Sequence, residues 1–142
     1  MTELLVVIAV IGIMALIAIP SILAYWPAAT VRGAARGLQD GLNQAKTRAI
    51  ATRQSICVQV VPGVAGGYRF RQGGCGGGAW IGTGTDATGL FRVPDKVTFT
   101  GGASPVFTQF GTATAQVGLT VTGPRNQTLT VTVLASGYVR IP

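Results

Sequence analysis

The side chains that most often carry catalysis are nearly absent from this chain of 142 residues. It has no histidine and only four carboxylates, Glu3, Asp40, Asp86 and Asp95, each isolated from the others in sequence. A hydroxyl becomes a nucleophile only beside a base that takes its proton. Serines and threonines are plentiful, above all in Thr83–Thr88 and Thr112–Thr122, but with no histidine and only isolated acids none has a plausible base, so they read as strand and loop residues. The two cysteines, Cys57 and Cys75, make a poor metal site without histidine. The run Gly73-Gly74-Cys75-Gly76-Gly77-Gly78 reads as a flexible loop and not a phosphate cradle, because no Lys-Ser/Thr pair or helix follows it. An enzyme is not expected, nor a catalytic residue, a cofactor or a metal.

Glu3 is the acid that needs a partner. It stands at the mouth of an apolar run from Leu4 to Ile19 that holds no other charge and stops at Pro20. A helical membrane span takes about 20 apolar residues, a length this run reaches only if the helix continues through Ile22, Leu23, Tyr25 and Trp26. A lone carboxylate costs roughly 2.5 kcal/mol or more at the bilayer centre and less near an interface, so a retained one calls for a cation. A cleaved secretory signal would start basic and have a shorter apolar core, unlike this run. A simple single-span anchor explains the length but not the joint presence of Glu3, Gly12 and Pro20.

The segment Glu3-Leu4-Leu5-Val6-Val7-Ile8-Ala9-Val10-Ile11-Gly12, followed by Ala18-Ile19-Pro20, resembles the N-terminal region of type IV pilins and type II secretion pseudopilins. The match covers about the first quarter of the chain. The resemblance implies a prepilin whose short basic leader is removed by a prepilin peptidase and whose new N-terminal residue is N-methylated. In the family the glutamate lies four residues after that residue, so the leader and two further mature residues are expected ahead of Met1. It also implies the role of Glu3: neutralising the N-terminal amine of a neighbouring subunit inside a filament core of packed apolar helices. Such a buried pair adds little net stability but penalises wrong registers. Gly12 costs about 1 kcal/mol relative to Ala in a helix, and Pro20 removes one ladder bond and crowds the carbonyl of Leu16. In assembled filaments of the family this stretch loses helical structure, which implies melting from Gly12 to Pro20 on assembly; a simple kink is the alternative.

The elements that must carry this stem follow from periodicity. Beyond Pro27, Val31, Ala34, Ala35, Leu38, Leu42, Ala45 and Ala49 recur at spacings of three and four, which defines one apolar face of a helix. Arg32, Arg36, Asn43, Lys46 and Arg53 fall largely off it and read as a solvated face. The stem and this helix are expected to be nearly continuous from Thr2 to Ala51, with the first half bare and the second packed on a sheet. Gly33, Gly37 and Gly41 form a small-residue stripe that suits close approach, to this subunit's own sheet before a neighbouring stem. From Ser55 the pattern turns to period 2. Ser55–Val61 and a run around Tyr68–Arg71 read as a hairpin about Pro62-Gly63. Further strands are expected at Gly89–Val93, Lys96–Thr100, Val106–Phe110, Gln116–Thr122, Leu129–Leu134 and Tyr138–Ile141, with Pro124-Arg125-Asn126 as a turn. The layout is α+β: one long N-terminal helix on a C-terminal antiparallel sheet, the pilin fold that the resemblance implies. The expected division is a stem at 1–26 for the membrane or filament core and a globular domain at 27–142, itself a helix at 27–53 and a sheet at 54–142.

Charged residues make up only 11% of the chain and glycines number 21, a composition suited to a secreted β-rich surface protein. Outside the cytoplasm Cys57 and Cys75 are expected to pair in a disulfide, with two buried thiols as the alternative. The tail, with Phe107–Ala113, Leu119–Val121, Thr130–Val133 and Gly137-Tyr138-Val139-Arg140-Ile141, resembles the C-terminal half of the GspH/FimT group of minor pilins and pseudopilins. FimT-like members bind DNA through a closing Gly-Arg-x-Arg, and here tyrosine stands at the first arginine position. Tyr138, Arg140 and Arg125 are therefore weak candidates for DNA contact. The formal charge of +7 favours it, although the basic residues are spread along the chain.

The expected protein is a structural subunit of a type IV pilus or pilus-like filament, or a GspH/FimT-type minor pilin or pseudopilin acting in type II secretion or DNA uptake. Its partners would be identical subunits in a helical filament, the inner membrane before assembly, the prepilin peptidase and an ATP-driven assembly machine. Its final place would be a cell-surface filament or a periplasmic pseudopilus.

Overall fold

The computed structural model describes residues 2–63, 66–93 and 96–142, with the side chains of all of these except 18–24. One helix, α1 (Thr2–Thr52), runs unbroken for 51 residues, about 75 Å at 1.5 Å per residue. Gly12, Pro20 and Pro27 all lie inside it. The helix ends where Arg53 turns to a φ of 53° and the Gln54 amide bonds the Ala49 carbonyl at 3.2 Å. That six-to-one closure satisfies a carbonyl the helix would otherwise orphan, here without the usual glycine.

The apolar stripe is the face that packs. Val31, Ala34, Ala35, Leu38, Leu42, Ala45 and Ala49 are all buried, and Arg32, Arg36, Asn43 and Arg53 are exposed. Small alanines let the backbone of α1 come close to the sheets. Leucines and Val31 fill the remaining space among Phe70, Phe99, Phe107, Ile56 and Leu119.

Among the described residues eight strands follow the helix. They are β1 (Ile56–Val61), β2 (Gly67–Gln72), β3 (Leu90–Arg92), β4 (Thr98–Gly101), β5 (Val106–Phe107), β6 (Val117–Thr122), β7 (Thr128–Val133) and β8 (Val139–Arg140). They do not form the single sheet read from the sequence. One antiparallel sheet has the order β3-β2-β1-β5 and a second has β4-β6-β7-β8. The split arises because β4 pairs with β6, not with its sequence neighbour β3, and because β5 returns to the free side of β1. The helix packs on β1 and β5 of one sheet and on β6, β7 and β8 of the other, so it covers the seam between them.

The hairpin expected at Pro62-Gly63 is present, with Ile56 opposite Gln72 and Val61 opposite Gly67. Several strand ends are shorter than their sequence pattern. Lys96 takes a φ of 69°, which delays β4 to Thr98. The strand expected at Val106–Phe110 stops at Phe107, because the chain turns at Gly111 (φ 79°) and the Thr108 amide bonds the Thr112 carbonyl at 2.8 Å. The segment Pro124–Asn126 is a short turn, as expected, with Arg125 and Asn126 at φ of 63° and 56°.

Cys57 and Cys75 form a disulfide with their Cα atoms 5.0 Å apart, which ties β1 to the glycine-rich loop after β2. The loop is further held by the Gly73 amide on the Ser55 carbonyl (2.8 Å) and by Arg71 Nη1 donating to the Gly77 carbonyl (2.9 Å). Trp80 beyond it stacks toward Phe91 and carries the Arg48 guanidinium 3.6 Å above its ring. Both partners are half-buried, and a cation–π contact of this kind contributes about 0.5–2 kcal/mol.

Candidate functional site

The stem is the first candidate. From Leu4 to Ile17 the large apolar side chains are 45–74% exposed, and none of the described residues covers them. Glu3 at the end of this run is exposed, and among the described residues the only ion pair is Arg92 with Asp86. A methyl group at Gly12 would meet no atom of the subunit, so Gly12 serves no close approach within one copy. The helix is continuous from Gly12 through Pro20 in the single subunit; Pro20's side chain lies outside those described. Among the described residues no helical stretch is long and apolar enough to cross a membrane. The described run Leu4–Ile17 has a physical length of about 21 Å, short of a hydrocarbon core of about 30 Å. The residues expected to complete a span include 18–24, whose side chains are not described.

The glycine stripe divides. Gly41 is buried, and a Cβ there would overlap the ring of Tyr68, so this position meets the sheet as expected. Gly33 and Gly37 are exposed and a Cβ at either would meet nothing, so the close approach expected of the whole stripe is confined to Gly41. Tyr68 fills the gap that Gly41 leaves and points its hydroxyl to the Gly37 carbonyl at 3.4 Å. Burial, reinforced by the charge of Asp40, pushes this phenol up to about 12.

The next acid, Asp86, organises a turn. Asp86 Oδ1 accepts from the Thr88 hydroxyl (2.7 Å), the Thr88 amide (2.8 Å) and the Leu90 amide (3.1 Å), while Oδ2 meets Arg92 at 3.0 Å. The Thr88 hydroxyl above all, then the two amides, bring this carboxyl down to about 2. This is the chemistry of a turn that organises a loop. Asp95 lies outside the described residues. Among the described residues no three histidines, cysteines or acids gather at one place. The Thr108 and Thr112 hydroxyls bond each other at 2.7 Å and brace a turn.

The C-terminal candidates are all exposed. Tyr138 is 62% exposed and Arg140 is exposed on β8, with the intervening Val139 buried. Arg125 sits in the turn before β7. Sequence reasoning missed a different basic feature. Arg32 and Arg36, one helical turn apart, line a groove of about 310 Å³ with Leu129, Ile141 and Pro142. The signal was present as two arginines at i and i+4 beside the apolar stripe, but only the docking of α1 against β7 and β8 gives that face a wall.

The order of elements, one long helix across the seam of two antiparallel sheets, can be matched to solved structures. Two crystal forms of the type IV minor pilin FimU from Pseudomonas aeruginosa (strain PAO1) are similar to it. The P21 form aligns with a TM-score of 0.55 at 15% identity, over 79% of this chain and 87% of that one. The P65 form gives 0.54 at 16%, over 78% of this chain and 91% of that one. The chain has the type IV pilin fold. The sequence matches no family profile and no curated protein. The domain covers α1 only from about Val31 onward, which leaves the leading part of the helix bare.

Proposed function

We propose that this pilin-fold chain is a structural subunit of a type IV pilus or pilus-like filament and polymerises through its N-terminal hydrophobic helix. The observation that carries the proposal is the uncovered run Leu4–Ile17, held in helical form by a helix whose other half is fixed in the domain core. Each large aliphatic side chain left in water forgoes roughly 1.5–3 kcal/mol of burial, so the stem needs either lipid or other stems. Residues 1–26 serve first as the inner-membrane anchor and then as the filament core, while 27–142 form the fibre surface. Glu3 meets the N-terminal amine of a neighbouring copy, and the helix from Gly12 to Pro20 melts as the subunit enters the fibre. A prepilin peptidase and an assembly machine act on the chain before that, and the product is a cell-surface filament or a periplasmic pseudopilus.

A second reading has its own support, since both similar structures are of a minor pilin. In it the chain is a minor pilin or pseudopilin of the GspH/FimT type, present in few copies, acting in secretion or touching DNA through Arg125, Tyr138 and Arg140. Replacing Glu3 by Ala tests the main reading. The variant should fold its domain, keep its disulfide and yet enter sheared filaments at a small fraction of the normal level. Normal incorporation would refute the proposed role of Glu3. Quantifying the chain in those filaments separates the readings: a dominant component supports the first and a trace component the second.

A further inference from the structure

We propose that the groove between α1 and the β7–β8 edge binds the headgroup of an anionic phospholipid in the membrane that holds the stem. This rests on the membrane stage of the proposed function. Arg32 and Arg36 form its cationic rim, both exposed and neither in an ion pair among the described residues. Its floor is apolar, with Leu129 and Ile141. A second hollow of about 260 Å³ continues it past Arg32 and Leu129 to Val31 and Gln127.

The chemistry that fits this arrangement is an anion joined to hydrocarbon. Paired guanidiniums take a phosphate, and the apolar floor takes the start of an acyl chain. An inorganic ion would leave the apolar floor in water. Position favours lipid as well. Arg32 lies six residues past Trp26, about 9 Å along the helix, and Tyr25 and Trp26 are 66% and 68% exposed, as interfacial aromatics are. The headgroup layer on each side of a bilayer is about 5–7 Å deep, within reach of an arginine extended back toward it. Among the described residues no acid lines either hollow. Asp40 lies one turn beyond Arg36, farther from the stem, and Arg125 and Arg140 adjoin the groove in sequence and add positive charge.

The test uses the full chain in detergent, offered equal amounts of phosphatidylglycerol and phosphatidylcholine, with retained lipid counted by native mass spectrometry. Phosphatidylglycerol should be retained preferentially. The double variant R32Q/R36Q should lower that retention about 30-fold, the effect of two basic groups at an anionic surface, with circular dichroism unchanged. R53Q, at the far end of α1, should leave it intact. If the double variant melts early, R32Q and R36Q are read singly, each with about a fivefold loss. Equal retention of the two lipids, or undiminished retention by the arginine variants, overturns the proposal. So does displacement of the lipid by millimolar inorganic phosphate, which would mark a free-phosphate site, or by an oligonucleotide at lower concentration than the lipid, which would mark a nucleic-acid site. Flotation with phosphatidylcholine vesicles keeps the two readings apart. A chain that inserts but shows no lipid preference removes the headgroup site alone, whereas a chain that inserts in no vesicle removes the membrane stage and the site together.

Discussion

Breaking the Cys57–Cys75 bridge should cost the domain about 3 kcal/mol. The two residues are separated by 18 positions, and opening a loop of that length returns about 11 cal/mol/K of chain entropy to the unfolded state, or about 3 kcal/mol at 25 °C. The folded loop has other holds, so most of the loss falls on the unfolded side. Gly73 bonds Ser55, Arg71 bonds Gly77, the Trp80 amide bonds the Phe70 carbonyl at 2.8 Å, and Arg48 covers Trp80. For a domain of about 115 residues the unfolding entropy is about 0.24 kcal/mol/K, which turns 3 kcal/mol into a fall of about 13 °C in Tm. The assay is thermal unfolding of the full chain in detergent, oxidised against reduced. The variant Cys57→Ala with Cys75→Ser serves as a second sample, alanine being chosen because Cys57 is fully buried. A fall below about 4 °C would refute the entropic reasoning. So would early loss of the Trp80 near-ultraviolet signal, which would mean that the bridge holds the native loop and not merely the unfolded chain.

The glycine stripe gives a prediction of opposite signs: Gly41→Ala drives a Cβ into Tyr68 and should lose roughly 1–3 kcal/mol, while Gly37→Ala, over open space, should gain about 0.5–1 kcal/mol. Urea midpoints that shift in the same direction would contradict the placement of Tyr68. The Tyr68 phenol, raised to about 12, favours its neutral form in the fold, so its contribution to stability is whole below the unfolded value near 10 and disappears as pH rises to about 12. Absorbance at 295 nm should show a late phenol ionisation that vanishes in Tyr68→Phe; its persistence in that variant would show that the assignment is wrong.

The helical half of this protein was legible because its signal is local. Seven buried positions from Val31 to Ala49 repeat at helical spacing, and each lies in the core. The strands were legible as elements but not as a sheet. Thr98–Gly101 looks like any half-buried strand, and nothing in its own residues says that its partner is β6 and not β3. Pairing depends on which edges meet after the helix has docked, a long-range matter that alternation does not encode. Strand ends failed for a related reason: the turn at Thr108–Thr112 is fixed by a backbone bond, a hydroxyl pair and Gly111, which outweigh the extended preference of Thr108 and Phe110.

The candidate sites divide in the same way. Glu3, the apolar run, Gly12 and Pro20 stand out as candidates in the sequence because each is unusual where it stands. Arg32 and Arg36 read as a solvated face, and became the rim of a groove only when Leu129 and Ile141 arrived from almost a hundred residues away. The sequence by itself determined that a long apolar helix precedes a β-rich domain, since hydrophobic period is a property of neighbouring residues. The tertiary structure alone decided that the sheets are two, that Gly41 and not Gly37 admits Tyr68, and that a basic groove exists. Those features are made of contacts between distant segments, and their energies appear only when both sides are in place.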